Sequence, residues 1–257
     1  MNEIENNDYI TTKKPLTSVG IFLAGYLLML VFFVLVGGAL AGIYGADIML
    51  GGNILFSMFA VQQILTLLVL RWSLEEWGRH WLDGAIQYLD ERNTRKGRGL
   101  FWKRVVGWFV WYMLLNGVLY TVLETLDITI PGLYGDQSVM EMLQQINAEW
   151  VLDWMMMFVM VAIVWPIVEE LVYRWLITDA LMQRRRRWGV VLAAFIFALI
   201  HLEFAVFWNL FILALILWVI YYKTGSMRYS FLFHLMINGM GVLALWLEQT
   251  YGLEFEM

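Results

Sequence analysis

Residues 164–175 read Val164-Trp165-Pro166-Ile167-Val168-Glu169-Glu170-Leu171-Val172-Tyr173-Arg174-Trp175. Two adjacent carboxylates and an arginine sit inside a run that is otherwise apolar. Ionisable groups in a bilayer are costly and rare, and they mark a working site by default. The run length and the charges therefore have to be read together. Working outward, the apolar stretch containing this segment extends from about Trp150 to Ala180, long enough to span a membrane. Further apolar runs cover about Val19–Ile43, Ile48–Leu70, Val105–Leu126, Trp188–Leu202, Phe204–Tyr222 and Tyr229–Trp246. Only 15% of the 257 residues are charged, against roughly 25% in a soluble domain. The spacing predicts an all-α, polytopic transmembrane helical bundle of about seven spans.

Charge orients the spans. With the N-terminus and Lys13 and Lys14 inside, the alternation puts Arg71 to Arg104, Arg184 to Arg187, Lys223 and Arg228 in the cytoplasm. Arg174 is the only one of the 17 basic residues left out, and it lies in a span. The outside loops, near Gly45, Asp127–Glu149 and Glu203, and the acidic tail 248–257 carry no Lys or Arg. This follows the positive-inside rule and predicts N-terminus in, C-terminus out. The polar N-terminus with Glu3 and Glu5, and the length of the first run, predict no cleavable leader. Absent cysteine rules out disulfides, thiol nucleophiles and thiolate metal sites.

Three units follow: 1–149, with three spans and a cytoplasmic stretch; 150–247, the chemically marked core in the last four spans; and the tail. In the cytoplasmic stretch, Ser73 and Glu76 have capping-box spacing. Leu74, Trp77, Trp81, Leu82, Ile86 and Leu89 then recur at helical spacing, which predicts an amphipathic helix against lipid headgroups. His80 falls in it and reads as an interfacial residue.

Glu170 and Arg174, four apart, share one helix face and can pair. Glu169 is rotated about 100° away and stays free to act as a general base on water. Pro166 is placed to kink the helix. His201 ends the fifth run, one turn after Phe197, and His234 and Asn238 project together from the seventh. A carboxylate, two imidazoles and an amide from three helices can activate water and stabilise an oxyanion. Read blandly, Glu170–Arg174 is a packing ion pair and the His and Asn are interhelical glue, but three helices would then each carry an unneeded cost. Two His and a Glu can hold catalytic zinc, a real alternative, although H-E-x-x-H is absent and only two plausible His are present.

These stretches resemble the CPBP family of intramembrane proteases, also called Abi, which includes CAAX prenyl proteases and bacteriocin-processing enzymes. Glu169-Glu170-Leu-Val-Tyr-Arg174 is similar to its E-E-x-x-x-R motif, Phe197-Ala-Leu-Ile-His201 to F-x-x-x-H, and His234-Leu-Met-Ile-Asn238 to H-x-x-x-N. Tyr222-Lys-Thr-Gly-Ser-Met looks like the family's turn before the last motif. The resemblance implies a metal-independent glutamate peptidase cutting a membrane-associated peptide or protein. Glu169 and His201 would activate water, His234 and Asn238 would bind the oxyanion, and Glu170 and Arg174 would hold the site together. The site would open to the cytoplasm. One departure is Trp175, where the family commonly has glycine. The implied partners are a peptide or membrane-protein substrate and membrane lipids, with no nucleic acid, in a bacterial cell membrane. The alternative is a non-catalytic immunity or regulatory protein that binds a membrane regulatory partner. A transporter fits least, since there are no repeats or matched broken helices.

Overall fold

The computed structural model describes residues 15–44, 52–73, 98–133, 151–224 and 226–252. The amphipathic stretch with His80, most of the Asp127–Glu149 loop and the end of the tail lie outside them, as does the side chain of Trp175. Helix α1 spans Pro15–Tyr44, α2 Gly52–Ser73 and α3 Arg98–Thr125. The fourth span is α4 (Val151–Phe158), a π-helical segment (Val159–Val164), α5 (Trp165–Glu170) and a second π-helical segment (Leu171–Thr178). Next come α6 (Asp179–Ile200), a 3₁₀ turn (Phe204–Val206), α7 (Phe207–Thr224) and α8 (Met227–Tyr251).

Among the described residues, four helical stretches are long and apolar enough to cross a bilayer: Lys103–Thr125, Trp154–Met182, Phe204–Thr224 and Met227–Tyr251. Leu16–Met29, Ala60–Trp72 and Trp188–Ile200 are shorter apolar helices. The protein is thus a helical membrane bundle, with an apolar helix at each of the seven expected runs. Its outer surface agrees: Trp111, Leu114 and Val118 on α3 and Leu28 and Leu35 on α1 are exposed, an arrangement suited to lipid rather than water.

Local chemistry ends the helices where the sequence punctuates them. Ser226 is extended and accepts a hydrogen bond from the Arg228 N–H, capping α8. Gly252 closes α8 in the left-handed conformation, its N–H donating to the Glu248 carbonyl. Thr66, Thr121 and Thr224 return their hydroxyls to carbonyls one turn back, so these three are not left bare. Gly132 has φ of 79°, and its carbonyl accepts from the Trp208 N–H. A Cβ there would sit 3.0 Å from the Phe204 carbonyl oxygen, so only glycine fits this turn under α7.

The run Asp179–Ile200 is not straight. A Cβ on Gly189 would lie 2.6–2.8 Å from the Leu181–Met182 backbone, whereas eight residues of straight helix would separate them by about 12 Å. The chain doubles back here, and the missing side chain lets the two arms touch. That reversal returns Phe197 to Tyr173, ring centroids 4.8 Å apart.

Packing forms two clusters. One joins Val19 and Phe22 of α1 and Leu70 of α2 to Val168, Leu171, Tyr173, Ile177, Phe197 and Met227. The other joins Val105 and Tyr112 of α3 to Leu213, Leu217 and Ile220 of α7 and Phe233 of α8. Between lipid-embedded helices, apolar burial gives little net drive, because lipid is as apolar as a leucine; close packing and polar contacts hold the bundle. Among the described residues, the largest fully buried side chain is accordingly not apolar but Arg174.

Candidate active site

Pro166 lacks an N–H and its ring crowds the carbonyl four residues back, so a regular helix cannot run through it. The wide π turn of 159–164 lies just upstream and a second follows at 171–178. The Glu169–Glu170 pair sits on the short α5 between them. Such π segments occur frequently at functional sites.

Glu170 is enclosed on all sides. Its Oε1 faces Arg174 Nη2 at 3.4 Å and His234 Nδ1 at 3.4 Å. Its Oε2 faces Arg174 Nε at 3.3 Å and accepts a 2.6 Å hydrogen bond from Ser230 Oγ. Glu170 and Arg174 are each 1% exposed. The guanidinium also stands 6.0 Å above the centre of the Phe197 ring. This is the pairing the i,i+4 spacing predicts.

Glu169 points elsewhere. Its Oε1 lies 3.7 Å from His201 Nε2 and its Oε2 lies 3.4 Å from His234 Nε2. Its side chain is 23% exposed and that of His201 is 25% exposed, so this carboxylate is partly open whereas Glu170 is closed off. His201 Nδ1 is 2.6 Å from the Phe197 carbonyl oxygen. A carbonyl only accepts, so Nδ1 carries the hydrogen, and Nε2 is the nitrogen presented to Glu169. Leu202, directly after His201, adopts φ of 56° and terminates α6 there. His201 is thus held at Nδ1, His234 Nδ1 lies beside Glu170, and both imidazoles are aimed through Nε2 at different oxygens of one carboxylate.

Asn238 is placed one turn beyond His234 on α8, where its amide donates a 3.0 Å hydrogen bond to the Val161 carbonyl. That carbonyl belongs to the first π segment, so Asn238 ties α8 to the fourth span. One of its two amide hydrogens is used in this way. The structure therefore brings Glu169, Glu170, Arg174, His201 and His234 into one cluster and sets Asn238 beside it. Among the described residues, no group of three or more His, Cys, Asp or Glu is arranged to hold a metal ion.

Ser230 was not legible from the sequence. Its signal is position: Ser230, His234 and Asn238 recur every four residues on one face of α8. The N-terminal helices also reach the site. Tyr26 of α1 stacks on Phe22 and packs against the cluster that contains Tyr173 and Phe197. Gly25 packs so closely on Val69 that a Cβ would meet it at 2.8 Å, which pins α1 to α2 beside Tyr26.

Residues 150–240 match the family model described as type II CAAX prenyl endopeptidase Rce1-like. Neither the curated proteins nor the solved structures compared with the chain gave a match. The matched segment carries the buried ion pair, both imidazoles and Asn238, and over that segment the chain is similar to the CAAX protease family.

Proposed function

We propose that this protein is an intramembrane endopeptidase that hydrolyses a peptide bond of a membrane-associated peptide or protein with water activated by Glu169. The observation that carries the reading is the partly open Glu169 carboxylate between two imidazole Nε2 atoms. In the proposed step, Glu169 accepts a proton from water as the water oxygen bonds to the scissile carbonyl carbon. The carbonyl π pair moves onto oxygen, and that charge is met by His234 and by the second amide hydrogen of Asn238. Collapse re-forms the carbonyl and breaks the C–N bond, and the departing amine takes the proton held by Glu169, with His201 assisting the transfer. No metal is invoked: carboxylate and imidazoles supply the base and the donors.

Glu170 and Arg174 hold the geometry. The family description supports a peptide substrate, and the apolar outer face supports a membrane-resident one. The distribution of Lys and Arg supports a site open to the cytoplasm.

The test compares wild type, Glu169→Gln and a deletion in the native cell, reading peptide termini in membrane and medium by quantitative mass spectrometry. Termini lost equally in the variant and the deletion establish proteolysis and name the substrate. A variant that matches wild type while the deletion differs overturns the reading in favour of a binding protein.

A further inference from the structure

Arg174 and Glu170 come from the same span, so their pair fixes the carboxylate only against its own helix. What ties Glu170 across the bundle is α8, and it does so twice. Ser230 Oγ approaches Oε2 at 2.6 Å, and His234 Nδ1 faces Oε1 at 3.4 Å, one helical turn further on. Ser230 is wholly buried and lies 60 residues from Glu170 in the chain. Its oxygen is also 2.9 Å from the Met227 carbonyl, but a hydroxyl has one hydrogen. A separation of 2.6 Å is that of a charge-assisted O–H···O⁻ bond, so the hydrogen belongs to the carboxylate.

We infer that Ser230 is a positioning residue: its hydroxyl, with His234, brackets the two oxygens of Glu170 and thereby aims His234 Nε2 at Glu169. Arg174 also faces both oxygens, but from Glu170's own span, so it is the Ser230 hydrogen bond that sets the carboxylate relative to α8. With Ser230 removed, Glu170 is set by Arg174 alone rather than by α8, the 3.4 Å approach of His234 Nδ1 to its Oε1 changes, and the imidazole is no longer aligned on Glu169. This deepens the hydrolase reading and rests on it for its kinetic consequence, but the geometric consequence stands independently.

The test has two arms, both on the full chain in lipid nanodiscs. In the first, histidine is labelled with ¹⁵N. The chain has three histidines, assigned by His→Gln substitution at each. Ser230→Ala and Ser230→Cys are expected to shift the His234 imidazole resonances while leaving those of His201 and His80 in place. Cysteine fills the serine volume with a weak donor, so it supplies the folded comparison if alanine unfolds the bundle. His234 resonances coincident with wild type in a folded variant overturn the inference.

In the second arm, the probe is a fluorogenic farnesylated peptide ending in Cys, two aliphatic residues and a variable residue. Both variants are expected to lower kcat about 10- to 100-fold with KM unchanged, the range for losing a hydrogen bond to a charged group. A rise in KM alone, at unchanged kcat, also overturns it. If wild type shows no Glu169-dependent cleavage of the probe, the hydrolase reading loses its support there, and the ¹⁵N arm still decides the role of Ser230.

Discussion

Replacing Arg174 with methionine tests how the site is held. The side chain is 1% exposed, and its Nε and Nη2 lie 3.3 and 3.4 Å from the two oxygens of Glu170. Methionine keeps much of the volume and removes the charge. Glu170 would retain Ser230 and His234 but would remain a buried carboxylate without its cation. Breaking a buried pair from one side costs about 3–5 kcal/mol, while removing both partners is often neutral. For a chain of this size, that lowers the apparent melting midpoint by roughly 6–20 °C. Adding Glu170→Gln to Arg174→Met should return much of the loss, because the unpaired charge goes with it. The assay is thermal unfolding in nanodiscs at a fixed heating rate, read by intrinsic tryptophan fluorescence. A single variant melting within about 2 °C of wild type, or a double variant melting below the single one, refutes the reasoning that the guanidinium neutralises a buried carboxylate.

Gly189→Ala places a methyl group 2.6–2.8 Å from the Leu181–Met182 backbone, and forced overpacking costs about 1–3 kcal/mol; a melting midpoint equal to wild type would mean that the two arms do not touch there. Asn238→Leu removes the hydrogen bond to the Val161 carbonyl, and interhelical bonds of this kind are worth about 0.6 kcal/mol on average. A small loss of stability with a large loss of cleavage would indicate that the second amide hydrogen acts in the reaction, whereas unchanged cleavage would confine Asn238 to tying helices.

The apolar runs foretold the helices because a bilayer imposes length and polarity on each segment separately. The sixth run begins at Phe204 and the structure starts its helix there as well, through a 3₁₀ turn. The pairing of Glu170 with Arg174 was legible for the same reason: both lie on one helix, and their spacing alone puts them together. Ser230 was not, because a serine carries no signature until its partner, 60 residues away, is in place. Nor was the acceptor of the Asn238 amide, since every residue has a carbonyl and only packing selects Val161. The π segments escaped too, because they express a change of register set by neighbours rather than by composition. The N-terminal helices, outside the chemically marked core, place Val19, Phe22 and Leu70 in the same cluster as Phe197, through shape that a motif does not encode.

Those π segments have a consequence for how this chain tolerates change. A π turn holds more residues than the α turn it replaces, so each segment acts as a phase shifter between the helices on either side. Deleting one residue from 159–164 would restore an α-helical register and rotate everything beyond it by about 100° relative to everything before. Glu169 would then leave the face shared with His201 and His234 although no site residue had been altered. Substitutions in these segments alter packing locally, whereas a change in their length redirects the whole carboxylate pair. Two chains with the same three motifs, differing by one residue between Val159 and Val164, would present different faces to the same histidines.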